Sequence, residues 1–139
     1  LSFLCDSLTF TQCRDSGVVV QNTKGKLINC VITQCKDSGI HCGSNALITL
    51  EGSQTKVAGN CEDCDYFDYY GLDSCFSSSI IHLLHPLTKE SVSVDNYDGQ
   101  NYGGNGEISI VDNDGTVLER IQELHEETES ESLSDEENN

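Results

Sequence analysis

Three groups of residues in this sequence have types and spacings that could do chemistry. Cys61, Cys64, Cys75, His82 and His85 supply thiols and imidazoles, the donors a tetrahedral zinc site takes. Cys61-x2-Cys64-x17-His82-x2-His85 approximates a finger. Its middle is long, however, its His pair is one residue too close, and on a strand His82 and His85 would face opposite ways. Zinc held by Cys61, Cys64, Cys75 and His82 therefore stays a minor alternative, beside a disulfide among the three Cys and beside isolated thiols. No metal or other cofactor is expected. The second group is Arg14-Asp15 and Lys36-Asp37. Two carboxylates can divide acid and base roles when their environments differ. These two pairs sit in near-identical segments, which predicts like environments and favours a turn ladder over catalysis. Arg14, Asp15, Lys36 and Asp37 are kept as candidate binding residues, with no catalytic residue assigned. The third group, Asp112-Asn113-Asp114-Gly115, lacks the alternating spacing and terminal Glu of a calcium loop, and reads as a turn, as does Asp98-Gly99. His41 has no evident acid partner and reads as a strand-surface residue. No nucleophile elbow, Ser-His-Asp arrangement, phosphate-binding Gly loop or dinucleotide fingerprint is present.

The elements that must position these residues are set by an internal repeat. Thr11-Gln12-Cys13-Arg14-Asp15-Ser16-Gly17 matches Thr33-Gln34-Cys35-Lys36-Asp37-Ser38-Gly39 at six of seven positions, 22 residues apart. Apolar character matches as well: Cys5 with Leu27, Leu8 with Cys30, Phe10 with Ile32, Val18 with Ile40, and Val20 with Cys42. A weaker third copy at an offset of 23 aligns Leu27, Cys30, Ile32, Cys35 and Asp37 with Leu50, Ser53, Thr55, Ala58 and Asn60. Its smaller, more polar inward residues predict that the stack ends there. Each copy reads as short alternating strands between turn residues (LINCVI, QCKDSG, GIHC, GSNA, LITL). Such coils stack as parallel strands about 4.8 Å apart. Asp15, Asp37 and Asn60 would form one turn ladder in the left-handed region, and Gly17 and Gly39 a tight corner. Cys5, Cys13, Cys30, Cys35 and Cys42 fall on apolar positions and read as buried small hydrophobes. A leucine-rich repeat would need an apolar residue where Asp15 and Asp37 stand and a helix between copies, and neither pattern occurs.

The C-x-[VILF]-x-x-C-x-x-S-G-[IV]-x-[VC] coils resemble the right-handed parallel β-helix domain of many repeat proteins, including pectate-lyase-like ones. The stretch SSSIIHLLHPLTKESVSV…NYGGNGEISIVDNDGTVLERIQE resembles a C-terminal extension of uncharacterised β-helix proteins from unicellular eukaryotes. The resemblance implies an all-β fold of about three coils of 22–23 residues with a C-terminal β-hairpin extension. Carbohydrate-active members carry carboxylates with Arg or Lys on one outer face, and here only the Arg14-Asp15 and Lys36-Asp37 pairs do so.

The expected organisation is coils over residues 1–60, a β-rich capping extension over 61–121 and an acidic disordered tail over 122–139. Residues 61–76 are irregular and acidic, 77–94 read as one or two strands broken at Pro86, and 95–106 as a Gly/Asn-rich loop. Glu107–Val111 and Thr116–Ile121 flank Asn113-Asp114-Gly115 and predict a hairpin that caps the open end. The tail holds eight of the 24 acidic residues and no Lys or Arg, reads as solubilising, and places Ser130, Ser132 and Ser134 among acids that acidophilic kinases favour. Net charge is −17 with no basic stripe, which disfavours nucleic acid, and no apolar run is long enough to span a membrane. The absence of Met and a start at Leu1 inside the periodic pattern predict a fragment or processed product. These readings favour a non-catalytic scaffold binding a protein or glycan. A fragment of a polysaccharide lyase, epimerase or hydrolase and a zinc-dependent interaction module are the alternatives. The compartment is not legible.

Overall fold

A computed structural model describes residues 1–62 and 69–122. It is an all-β protein with three parallel sheets, which the chain visits in strict rotation. The first sheet contains β1 (Ser2–Asp6), β4 (Lys24–Ile28), β7 (Leu47–Glu51), β10 (Ile80–Leu84) and β13 (Glu107–Val111), in that order. The second contains β2 (Thr9–Thr11), β5 (Val31–Thr33), β8 (Lys56–Ala58) and β11 (Ser93–Val94). The third contains β3 (Val18–Val20), β6 (Ile40–Cys42), β9 (Leu72–Ser74) and β12 (Tyr102–Gly103). A last strand, β14 (Val117–Gln122), pairs antiparallel with β13. No helix among the described residues is long and apolar enough to cross a membrane.

Side chains alternate across each strand, so each parallel strand turns one set inward, where like positions stack. In the first sheet these columns are Phe3–Gly25–Ile48–Ile81–Ile108 and Cys5–Leu27–Leu50–Leu83–Ile110. From Leu27 and Ile48 onward these residues are almost completely buried. Phe10, Ile32 and Val57 stack in the second sheet, and Val18, Ile40 and Leu72 in the third. Cys30, Cys35 and Cys42 are buried in this core and Cys5 and Cys13 half-buried, as expected of Cys acting as a small hydrophobe. The apolar column of the second sheet turns polar on the last circuit. Ser93 follows Val57, and the Tyr102 hydroxyl accepts from Ser93 N–H (3.2 Å) and donates to the Lys89 carbonyl (2.7 Å).

The 22-residue repeat is seen residue for residue: Cys5 pairs with Leu27, Phe10 with Ile32, Val18 with Ile40 and Val20 with Cys42. The third copy departs from expectation. Leu27 does pair with Leu50, but Ile32 pairs with Val57 and Thr33 with Ala58. Four residues separate β7 from β8 where two separate β4 from β5, so the fixed offset slips by two at that corner. Apolar Val57 rather than Thr55 stacks on Ile32, and the sheets continue instead of ending. Beyond residue 60, five further parallel strands (β9 to β13) join the same sheets, and the expected hairpin forms as β13–β14. The segment LINCVI is not one strand, because Asn29 (φ 52°) bends the chain between β4 and β5.

The corner after the second sheet also differs from expectation. Its left-handed residues are Gln12, Gln34, Gly59 and Asp95 (φ 57°, 60°, 70° and 54°), not Asp15 and Asp37. Asn60 stacks on Cys35 rather than on Asp37, and its side-chain oxygen accepts the Cys35 N–H at 3.0 Å. Asn60 Nδ2 donates to the Ile32 carbonyl (3.1 Å) and to Asn96 Oδ1 (3.1 Å), and Asn60 N–H also donates to Asn96 Oδ1 (3.0 Å). A spine of Cys13, Cys35, Asn60 and Asn96 thus runs along one corner. Its two amides satisfy backbone groups that burial would otherwise strand. Gly17 and Gly39 lie at the next bend for lack of space rather than for a left-handed backbone. A Cβ on either would lie 2.6 Å from Ile32 or 2.4 Å from Val57.

Candidate functional site

The outward side chains of the first sheet form ladders fixed by its register. Leu4, Lys26, Thr49, His82 and Ser109 make the central one, with Ile28, Glu51, Leu84 and Val111 on one side of it. Lys26, Thr49, Glu51, His82 and Leu84, together with Val111 and the Asp112–Gly115 turn, line a groove of about 400 Å³, within the size range of small-ligand sites. Lys26 Nζ pairs with Glu51 Oε1 at 3.4 Å. At the far edge, Glu107 Oε2 accepts from Ser109 Oγ (2.8 Å) and from Arg120 Nη1 (3.0 Å). His82 is half-buried in this groove. Burial pushes its pKa below the ordinary value, against a weaker upward pull from Glu107. The groove therefore presents a neutral imidazole, a hydroxyl, an ion pair and two aliphatic side chains along a rigid surface.

The turn that closes one end of the groove is held by its own carboxylates. Asp112 Oδ1 accepts from the backbone N–H of Asp114 (3.1 Å) and Thr116 (3.0 Å). Asp114 Oδ1 accepts from Thr116 N–H (2.9 Å) and Oγ1 (2.6 Å). The hydrogen bonds to Asp114, the largest from Asp112, lower its pKa to about 2. The turn expected for Asp112-Asn113-Asp114-Gly115 accounts for these oxygens without a cation.

The candidate residues at the corner of the second sheet do come together. Lys36 N–H donates to the Cys13 carbonyl and Asp37 N–H to the Asp15 carbonyl, both at 3.1 Å, so Arg14-Asp15 and Lys36-Asp37 lie one circuit apart. Arg14, Asp15 and Lys36 are exposed and Asp37 is half-buried. The described members of the zinc alternative are dispersed. His82 is on the groove face of the first sheet, and buried Cys61 follows the Asn60 corner, its N–H donating to the Cys35 and Asp37 carbonyls at 3.0 and 2.9 Å. Cys75 follows β9 in the third sheet, and exposed His85 follows β10. Cys61, Cys75 and His82 do not form one ligand group among the described residues. Cys64 and the tail from residue 123, with Ser130, Ser132 and Ser134, lie outside them.

One reading is overturned. His41 has an acid partner: its Nδ1 lies 3.1 Å from Asp73 Oδ2, opposite it in the β6–β9 register. Asp73 is 2% exposed, and its hydrogen bond is the main cause of a raised His41 pKa, opposed by burial and helped by the charges of Asp73 and Asp37. Asp73 was missed because it lies 32 residues after His41, beyond a longer interval between β8 and β9, where an offset of 22 or 23 does not reach. Alternation within Gly71-Leu72-Asp73-Ser74, with apolar Leu72 inward, is the signal that could have found it. No family model matches the chain, and no curated protein or solved structure matches it.

Proposed function

We propose that the chain is a stretch of right-handed parallel β-helix, pectate-lyase-like in architecture, working as a non-catalytic scaffold that binds a protein or glycan along the outer face of its first sheet. Rotation of the strands through three parallel sheets supports the β-helix reading, and the strong preference of parallel crossovers for one hand supports its handedness. Four circuits and the first strand of a fifth would make up the solenoid, with β14 covering its last edge. Arg14, Asp15, Lys36 and Asp37 form a secondary polar ladder at the corner between the second and third sheets, apart from the groove.

The observation that carries the reading is the charge of the groove. Among the described residues its one cation, Lys26, is paired with Glu51, and Asp112 adds a second acid. An anionic polyuronate would meet a surface with no surplus positive charge, which weighs against the lyase and epimerase alternatives. A neutral glycan, or a peptide offering a cationic or amide group, fits the hydroxyl, imidazole and paired charges. Binding to immobilised neutral glycans and peptides, compared between the native chain and Thr49→Arg, tests this. The substitution plugs the groove from an outward position and should abolish retention without lowering stability. Unchanged retention by Thr49→Arg, or turnover of pectate or alginate by the native chain, would overturn it.

A further inference from the structure

On the outer face of the third sheet, away from the groove, three donors of different chemistry converge. His41 on β6 and Asp73 on β9 are register partners, and Cys75 follows two residues later, its N–H held by the Cys42 carbonyl at 2.9 Å. One ligand atom from each of His41, Asp73 and Cys75 lies within 4.8 Å of the others. Gly104 lies close against Asp73 on its other side, where a Cβ would come within 2.9 Å of Asp73 Oδ1. The Tyr70 ring occupies the space where the neighbouring Gly103 has no side chain.

We propose that His41, Asp73 and Cys75 form a site for one borderline-soft divalent transition ion of the zinc type. The donor set selects the ion class. Calcium and magnesium take oxygen ligands, whereas an imidazole nitrogen, a carboxylate oxygen and a thiolate together suit zinc or cobalt. Size agrees too. Ligand atoms of a tetrahedral zinc site are about 3.3–3.8 Å apart, as bond lengths of about 2.0–2.3 Å require. The His41–Asp73 separation of 3.1 Å is already near that spacing, and small side-chain rotations of His41 and Cys75 would close the rest. A divalent ion would also neutralise a carboxylate that is nearly sealed from water, where charge is otherwise costly. His41 and Cys75 are only half-buried, so the fourth position opens to solvent. The ion would tether β6 to β9 at the circuit with the longest stretch of sequence between successive strands. The site is distinct from the groove, and neither reading depends on the other.

Titration of the chelator-treated chain with Co²⁺ tests the site directly. One equivalent should produce a near-ultraviolet thiolate-to-cobalt charge-transfer band and tetrahedral visible bands, and Zn²⁺ should displace it. Cys75→Ser should abolish the charge-transfer band, and His41→Ala should weaken zinc binding at least ~10-fold, while His85→Ala leaves both unchanged. Zinc should raise the melting temperature of the native chain but not of Cys75→Ser. A native chain without the charge-transfer band overturns the proposal whether or not the variants fold, and so covers ions held only by the acidic residues. Stoichiometric zinc that persists in both Cys75→Ser and His41→Ala overturns it equally.

Discussion

Two half-buried histidines on two faces of the same stack have opposite surroundings. His82 stands among Thr49, Leu84 and Val111 in the first sheet's groove, where loss of water outweighs the weaker upward pull of Glu107. His41 stands on the third sheet against a carboxylate that is itself buried, and that bond outweighs its own loss of water. Both occupy outward positions at the centre of a parallel strand, with inward neighbours that are almost fully buried. The contrast shows that a strand's backbone here sets only where a side chain points. Its chemistry is set by the residue one circuit away, because stacking makes that residue its closest neighbour.

If both faces depend on one inner stack, the largest effect should come from damaging that stack. Ile81 is fully buried between Ile48 and Ile108, and Ile81→Ala should cost about 2–5 kcal/mol through lost burial and a residual cavity. Urea unfolding measures it, and a loss below the surface-mutation range would mean that the stack is not the common support. A smaller effect, confined to one face, is expected from Asp73→Ala. It leaves the His41 ring without its bonded partner and should cost about 1–3 kcal/mol, measured in chelator-treated protein so that metal loss does not contribute. The groove, read by its binding of ligand, should be unaffected.

The subtlest test separates the histidines by the sign of their pH dependence. His41 has a folded pKa above its ordinary 6.5, so its stabilisation is fully present below that value and is lost as pH rises through the folded pKa. His82 has a folded pKa below 6.5, so its environment costs nothing above that value and destabilises as pH falls through the folded pKa. In chelator-treated protein, the stability gap between native chain and His41→Gln should therefore shrink with rising pH, and the gap for His82→Gln should grow. Two gaps of the same sign would dissolve the contrast.

The sequence revealed the first two circuits because their corners are of equal length. Identical offsets then brought Cys13 beneath Cys35 and Val18 beneath Ile40, and the shared TQC and DSG residues made the pairing legible. Two added residues between β7 and β8 were enough to misplace Thr55, Ala58 and Asn60. The inward alternation that places Val57 under Ile32 needs no sequence identity, so pattern survived where similarity failed. The His41–Asp73–Cys75 group was illegible for the same reason. Its members belong to circuits separated by a corner of different length, and no local spacing records that they meet. The Asn60–Asn96 spine was also hidden, since the same corner position holds Cys on two circuits and Asn on the next two.

Unequal corners have a consequence for how such a molecule can change. Successive inner partners on the first sheet lie 22, 23, 33 and 27 residues apart along the chain, yet their strands keep one continuous register. The entropy of closing a loop grows only slowly, by roughly 0.6 kcal/mol for each doubling of length. New segments can therefore be accommodated between strands, as between β8 and β9, with little loss of stability. The outer surface is free to diversify there while the interior stays the same.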